Sequence, residues 1–124
     1  MSVRPLLIAL CIFAASFEVE GMDMEASWYG GKFQGRLMAN GQRYDTNGMT
    51  CAGNLWPLGT ILVVTTDEGR TCRPVVTDRI ARRFSRRRVD LSPAAFQKLA
   101  PLSTGIVRVE TLPVSLRARQ RNAQ

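Results

Sequence analysis

Turn-forming residues interrupt this chain so often that only short strands fit between them. Asn-Gly pairs at 40–41 and 47–48 supply the positive φ angles that tight turns require. A β-branched run at residues 61–65 is followed by an Asp-Glu-Gly turn at 67–69 and by a second run at residues 70–77. This spacing predicts a mainly β domain.

Two more strands and one helix complete the predicted elements. Residues 26–29 form a short first strand, and residues 106–112 form a last one in which valine alternates with charged side chains. Ser92 is a suitable N-cap for a helix that has Pro93 at its first position and ends at Pro101. Many short strands with one capped helix favour a small barrel over an α/β sheet.

The N-terminus has the features of a secretory signal. Arg4 precedes an apolar stretch at residues 6–15, and small residues follow, so we expect cleavage after Ser16 or after Gly21. The stretch is shorter than the roughly 20 residues that span a bilayer, although a retained membrane anchor is the alternative. We therefore expect an exported protein of the periplasm or cell envelope, with transient membrane contact through the signal segment. The remaining residues suffice for one small domain.

Removal of the signal leaves two cysteines, Cys51 and Cys72. An even pair in a small exported domain predicts a disulfide, which would close a loop of about 20 residues and stabilise the fold by roughly 3 kcal/mol. Two buried free thiols are the alternative. Two cysteines without a histidine do not form a zinc site, so neither a metal nor another cofactor is expected.

The chain contains no histidine, which removes the most common acid/base side chain and every Ser-His or Cys-His nucleophile. If the protein is an enzyme, a carboxylate has to carry the proton. Asp78 is well placed for this role, since it ends an apolar run and opens a segment crowded with arginines. The alternative for Asp78 is a strand-end carboxylate that pairs with Arg79 or caps a turn.

The charge of the chain is strongly positive, with 17 Lys and Arg against 10 Asp and Glu and a net charge of +7. Arginines are densest at residues 79–88. In an exported protein this charge favours an anionic envelope polymer or a membrane surface, and no nucleic-acid partner is expected. The arginine segment is interpreted as a clamp for anionic groups, with a solvated basic loop as the alternative.

Five different short motifs occur one after another along the chain: Ala26-Ser27-Trp28-Tyr29-Gly30, Ala39-Asn40-Gly41-Gln42-Arg43-Tyr44-Asp45, Trp56-Pro57-Leu58-Gly59-Thr60, Thr77-Asp78-Arg79 and Val89-Asp90-Leu91-Ser92. Together they resemble the rare lipoprotein A (RlpA) family. The resemblance implies a mainly β fold, a small six-stranded double-psi β-barrel with one short helix, at residues 26–112. A signal peptide at residues 1–21 would precede the barrel, and a basic flexible tail at residues 113–124 would follow it.

The same resemblance implies an exported protein that acts on peptidoglycan glycan strands, including strands without stem peptides. We expect the protein to be a monomer. Characterised members are lytic transglycosylases, which cleave between MurNAc and GlcNAc and leave 1,6-anhydro ends. Such a reaction tolerates a single acid/base carboxylate, because the 6-hydroxyl of the substrate is the nucleophile. A non-catalytic glycan-binding or wall-loosening barrel, closer to the expansins in behaviour, is the alternative.

Three positions of this chain correspond to the polar residues of the family's motifs. The family's aspartate falls on Asp78, the predicted catalytic residue, whereas Gln42 replaces its acidic residue and Gly53 replaces its histidine. The predicted substrate-binding residues are Gln42, Tyr29, Asp45, Arg79, Arg82 and Arg83. A tolerated surface amide is the alternative for Gln42, and a turn-fixing carboxylate is the alternative for Asp45. Asp90 is interpreted as structural, at the positive end of the helix.

Overall fold

Seven strands form one curled sheet in the computed structural model, which describes residues 21–114. The strands are β1 (Met22–Trp28), β2 (Thr50–Ala52), β3 (Leu62–Thr66), β4 (Thr71–Cys72), β5 (Val75–Asp78), β6 (Arg88–Leu91) and β7 (Val107–Pro113). Their order across the sheet is β4-β3-β7-β1-β6-β2-β5. The signal peptide predicted for residues 1–21 and the tail predicted for residues 113–124 lie almost entirely outside the described residues.

The two ends of this sheet meet, so the sheet curls into a barrel. Val75 at the start of β5 forms an isolated antiparallel bridge with Ile61, which directly precedes β3. Beside it, the Leu62 N–H donates a hydrogen bond of 2.9 Å to the Pro74 carbonyl. β1 and β6 pair in parallel, as do β2 and β5, whereas the other neighbouring strands are antiparallel.

The predicted fold class is confirmed, although seven strands are present rather than six. The predicted strand at residues 70–77 is divided into β4 and β5 by Arg73 and Pro74. Proline has no N–H to give to a strand ladder, so the chain leaves the sheet there. β2 and β6 are short strands that the sequence patterns do not predict.

Helix α1 (Pro93–Gln97) follows β6 as predicted, although it ends before Pro101. Ser92 caps it, since its hydroxyl oxygen accepts a hydrogen bond of 3.2 Å from the Ala95 N–H. The same hydroxyl donates to the Gly48 carbonyl at 2.6 Å, which ties the helix to the loop before β2. The described connections also contain short 3-10 helices at Gly31–Phe33, Arg82–Phe84 and Leu102–Thr104. Within residues 21–114, no helix is long and apolar enough to cross a membrane.

The interior of the barrel is filled by apolar side chains from the strands and from α1. Its fully buried members include Leu62, Val64, Val76, Val89, Leu91 and Phe96. Burial of each such side chain is worth roughly 1.5–3 kcal/mol, which makes this core the main stabilising element of the sheet. Because side chains alternate along a strand, the burial of Val89 and Leu91 turns Asp90 away from the core.

The disulfide predicted between Cys51 and Cys72 is absent, and both residues are free thiols buried in the core. The strands that carry them are not neighbours, because β2 pairs with β5 and β6 while β4 pairs with β3. Each thiol therefore packs as a small apolar side chain. Burial raises the pKa of both thiols, that of Cys72 to about 12.

Candidate active site

A small residue on strand β2 lies between two aspartates, one on each neighbouring strand. Ala52 is the register partner of Asp78 on β5 and of Asp90 on β6. Neighbouring strands lie about 4.8 Å apart, so the Cα atoms of the two aspartates are about 10 Å apart across Ala52. The register shifts between Cys51 and Ala52, which brings Asp78 rather than Thr77 opposite Ala52. Bulges of this kind re-aim side chains and are common next to active sites.

Both aspartates line one cavity of about 310 Å³. Its wall also contains aromatic rings and arginines, namely Tyr29, Phe33, Phe84, Arg79 and Arg88. Aromatic rings provide apolar surface, and carboxylates bind or protonate the oxygens of a ligand. This combination suits a carbohydrate, which has both apolar faces and hydroxyl groups.

Asp78 is held in place by the backbone around it. Its Oδ1 accepts hydrogen bonds from the Ala39 N–H at 3.0 Å and from the Arg79 N–H at 2.9 Å. The Asn40 N–H donates to the Thr77 carbonyl at 3.1 Å, which binds the same loop to the end of β5. Both donors reach the same oxygen, so within residues 21–114 Oδ2 has no hydrogen-bond partner and is available to a ligand.

Asp90 is half-buried, and a hydroxyl group holds its carboxyl group. Its Oδ1 accepts a hydrogen bond of 2.8 Å from the Ser27 hydroxyl on β1. Burial raises the pKa of this carboxyl, and the two effects that lower it, the Ser27 hydrogen bond and the charge of Arg88, do not cancel the effect of burial. The sequence predicts instead that Asp90 interacts with the helix N-terminus. Its position in the wall of the cavity was therefore missed.

Tyr29 has a buried hydroxyl that lacks a hydrogen-bond partner among the described residues. Its ring stacks on Tyr44, with centroids 4.2 Å apart and planes at 14°, and it meets the Phe33 ring edge-on at 5.8 Å. Burial raises the pKa of the Tyr29 phenol, and Tyr44, Asp78 and Asp90 raise it further through their charge. The phenol therefore keeps its proton and remains a hydrogen-bond donor without a partner among residues 21–114.

A family described as lytic transglycolase matches residues 22–111, a range that contains the whole cavity. The endolytic peptidoglycan transglycosylase RlpA of Pseudomonas aeruginosa is 45% identical over 86 residues, which are 68% of this chain and 25% of that protein. The chain belongs to the RlpA family. RlpA of Neisseria meningitidis is 40% identical over 86 residues (68% of this chain, 36% of that protein), and RlpA of Vibrio cholerae is 40% identical over 93 residues (73% and 35%). The chain spans a quarter to just over a third of the length of these relatives.

Solved structures share the fold of this RlpA-family chain. The Streptomyces papain inhibitor is 30% identical, with a TM-score of 0.57 over 74% of this chain and 93% of that protein. The expansin of Clavibacter michiganensis is 24% identical, with a TM-score of 0.62 over 77% of this chain and 50% of that one. The expansin likeness concerns the fold alone. The double-psi β-barrel that the sequence motifs imply is confirmed.

The position of the RlpA family's histidine is taken by Gly53, in the loop after β2. A Cβ at this position would lie 3.1 Å from the Trp56 ring, so Trp56 occupies the space that a side chain would need. The Gly53 and Trp56 carbonyls both accept hydrogen bonds from the Arg79 guanidinium, at 2.9 and 2.7 Å. Arg79 thus lines the cavity while its Nη1 binds backbone oxygens rather than facing a substrate.

Gln42 and Asp45, two predicted substrate-binding residues, are exposed and do not line the cavity. Gln42 closes a turn with Asn40: its side-chain oxygen accepts from the Asn40 amide at 3.1 Å, and its N–H donates to the Asn40 side-chain oxygen at 2.9 Å. Asp45 accepts a hydrogen bond of 3.0 Å from the Asn47 N–H. Their contacts with substrate stay predictions, for parts of a glycan that extend beyond the cavity.

The predicted arginine clamp is organised around Phe84. The guanidinium groups of Arg83, Arg87 and Arg88 lie 4.8, 6.0 and 4.4 Å from the centroid of its ring, within cation–π range. Arg88 lines the cavity together with Phe84. Arg82 and Arg83 are exposed and lie outside the cavity wall, so their predicted role belongs to the surface beside it.

Two larger depressions lie elsewhere on the surface. One, of about 620 Å³, is lined by side chains of both charges, including Asp23, Glu25, Arg86 and Arg108. The other, of about 420 Å³, lies beside the Asp67 turn. Neither contains an aromatic ring or a predicted catalytic residue, although Arg86 and Arg87 of the arginine segment line the first. The smaller cavity with Asp78 and Asp90 is therefore the candidate active site.

Proposed function

We propose that this chain is an exported lytic transglycosylase of peptidoglycan. The observation that carries the proposal is the cavity in which Asp78 and Asp90 lie beside aromatic and arginine side chains, in a chain of the RlpA family. Relatives of similar sequence are named endolytic peptidoglycan transglycosylases. Their names support the same substrate here, a glycan strand cleaved between MurNAc and GlcNAc.

Lytic transglycosylation requires few groups from the protein. A carboxyl group protonates the glycosidic oxygen, and the bond between that oxygen and the anomeric carbon of MurNAc breaks. The 6-hydroxyl of the same MurNAc then closes onto the anomeric carbon and gives its proton to a carboxylate, which leaves a 1,6-anhydro end. No water is activated, so the reaction can proceed without the second carboxylate that a hydrolytic glycosidase uses.

Asp78 meets this minimum requirement in spite of the exchanges at Gln42 and Gly53. Neither glutamine nor glycine has an ionisable side chain, but the carboxylate of Asp78 remains in the cavity. Its Oδ1 is fixed by two backbone N–H groups, which orients the free Oδ2. A carboxylate held in one orientation is suited to acid/base work on a bound sugar.

The walls of the cavity supply contacts for the sugar rings. The Tyr29 hydroxyl is an unused donor, and the rings of Phe33 and Phe84 are apolar surfaces. Arg88 places a cation beside them, which suits a carboxylate such as the lactyl group of MurNAc. Arg82 and Arg83 would bind the anionic strand where it leaves the cavity.

The place of action is part of the same proposal. The signal at residues 1–21 would direct export to the periplasm or cell envelope, and a net charge of +7 favours contact with an anionic wall polymer. The protein would act as a monomer and contact the membrane only transiently, through the signal segment.

Digestion of purified glycan strands without stem peptides tests the proposal. Wild type should release fragments with 1,6-anhydromuramyl ends, detected by mass spectrometry, and Asp78→Asn should form them at least about 100-fold more slowly, because the acid/base group is lost. Asp67→Asn is the matched control, since Asp67 is an exposed aspartate in a turn outside the cavity. It should keep the wild-type rate.

A non-catalytic glycan-binding barrel is the second candidate, and the absence of the family's acidic residue at Gln42 and of its histidine at Gly53 favours it. Such a barrel would bind a glycan strand with the cavity and with the arginines around Phe84, and it would not cleave that glycan. Wild type and Asp78→Asn would then both pellet with sacculi, and neither would release anhydro ends. That pair of results would reject the enzyme.

A further inference from the structure

Asp90 occupies a rigid position at the wall of the cavity. It lies on the central strand β6 between Val89 and Leu91, which are both fully buried. Its backbone is paired with Ser27 on β1 and with Ala52 on β2. The Ser27 hydroxyl, on the neighbouring strand, holds its carboxyl at 2.8 Å. A carboxyl held by one strand, on a backbone paired with two, has the precision that a reacting group needs.

The reaction under "Proposed function" contains two proton transfers with opposite requirements. The donor must carry a proton at neutral pH, and the acceptor must be a free carboxylate. The two aspartates have different surroundings, which suit them to these two different roles. Asp78 accepts two backbone N–H hydrogen bonds at one oxygen, whereas Asp90 is taken out of water and accepts a single hydroxyl. Unequal environments for paired carboxyl groups are how one site holds both an acid and a base.

We propose that Asp90 is the proton donor of the cleavage step, that Asp78 is the acceptor, and that Ser27 positions Asp90. This assignment rests on the proposed transglycosylase function, and it divides between two residues the two proton transfers that a single carboxylate is able to carry. The Asp90 carboxyl gives its proton to the glycosidic oxygen, which keeps the electron pair of the breaking bond to the anomeric carbon. The 6-hydroxyl oxygen bonds to that carbon and loses its proton to Asp78. The proton then returns from Asp78 to Asp90 through solvent, so each turnover balances without consuming water.

The spacing of the two aspartates leaves room for a sugar between them. Their Cα atoms lie about 10 Å apart on either side of Ala52, and both side chains reach the same cavity. In glycosidases, too, a pair of carboxyl groups lies on either side of the scissile bond. Ala52, a small side chain between the two, leaves the floor of the cavity open.

Several ionisable groups surround Asp90, and burial outweighs them. They are Arg88 on β6 itself, Cys51 on β2, Asp78 on β5, Tyr29 directly after β1 and Tyr44 in the loop before β2. The charge of Arg88 lowers the pKa of Asp90, as the Ser27 hydrogen bond does, but burial still leaves it raised. Arg88 is also held by Glu25, at 3.3 Å.

The first test compares Asp90→Asn with the Asp67→Asn control on stem-peptide-free strands. Asp90→Asn should form anhydro ends at least about 100-fold more slowly, because the amide carries no transferable proton. It should still pellet with sacculi, which shows that the barrel is folded. An active wild type with an Asp90→Asn variant within about threefold of its rate would overturn the assignment. A wild type that forms no anhydro ends would instead reject the parent function, and this inference with it.

The second test uses Ser27, whose hydrogen bond favours the charged form of Asp90. Ser27→Ala raises the pKa of Asp90 further, so the alkaline limb of the kcat–pH profile should move to higher pH. Ser27→Thr keeps a hydroxyl and should keep the wild-type limb. A purely structural role of Ser27 would lower the rate equally at every pH. An alkaline limb that does not move in Ser27→Ala would therefore overturn the proposal.

Discussion

Asp78 and Asp90 face one cavity from strands on either side of Ala52, and each takes its chemistry from its neighbours. Backbone N–H groups hold Asp78, and these are donors suited to a carboxylate. Asp90 is half-buried, which disfavours its charged form and raises its pKa. Two identical side chains can thus serve as acid and base in a chain that contains no histidine.

Gly53 shows how far the site has changed around these aspartates. Restoring the family's histidine by Gly53→His should destabilise the barrel by roughly 1–3 kcal/mol, because the new side chain overlaps the buried Trp56 ring. Thermal unfolding measures this effect as a lower Tm. Gly31→His is the matched control, since a Cβ there meets nothing within 4 Å. Equal Tm values for the two variants would contradict the packing described for Trp56.

At the scale of elements, the parts with strong local signals could be predicted from the sequence. The β-branched run of β3, the alternation in β7 and the Ser92 cap of α1 all lie where the patterns place them. β2 and β6 could not be predicted, because they have three and four residues and are stabilised by their neighbours in the sheet rather than by their own composition. The arginines that precede β6 resemble a loop.

The strength of the sequence signal also explains which site residues could be predicted. Tyr29 and Asp78 belong to motifs of the family, and the structure brings them to one cavity. Asp90 was missed because the capped helix that follows offers an equally good local explanation for an acidic residue. The alternation of Val89, Asp90 and Leu91 is consistent with an aspartate on the outward face of a strand, but three residues are too few to predict that strand.

Strands β2 and β4 carry the two buried thiols, which gives a test of the barrel's packing. Cys51 and Cys72 should react with a thiol reagent only after unfolding, because both are buried and burial raises the pKa of each. Peptide mapping by mass spectrometry follows each site separately. Thr71→Cys is the control, since it adds an exposed thiol on β4 that should react in the folded protein. A disulfide-linked peptide, or rapid labelling of native Cys51, would contradict the structure.

At the scale of the whole molecule, the candidate active site lies where several loops meet the ends of short barrel strands. The loop at Ala39–Asn40 binds the end of β5, and the Arg79 side chain binds the loop after β2. The expansin and the papain inhibitor share this barrel. The fold therefore does not select a function, and the paired aspartates with their aromatic and arginine neighbours carry the proposed one.

The identity of the nucleophile tests most directly the central claim, that this chain is a lytic transglycosylase. Glycan strands without stem peptides would be digested by wild type in water enriched in heavy oxygen, and the new ends would be analysed by mass spectrometry. If the 6-hydroxyl of MurNAc is the nucleophile, the new muramyl ends are 1,6-anhydro sugars that contain no solvent oxygen. New reducing ends that carry the heavy isotope would show that water is the nucleophile and would contradict the account.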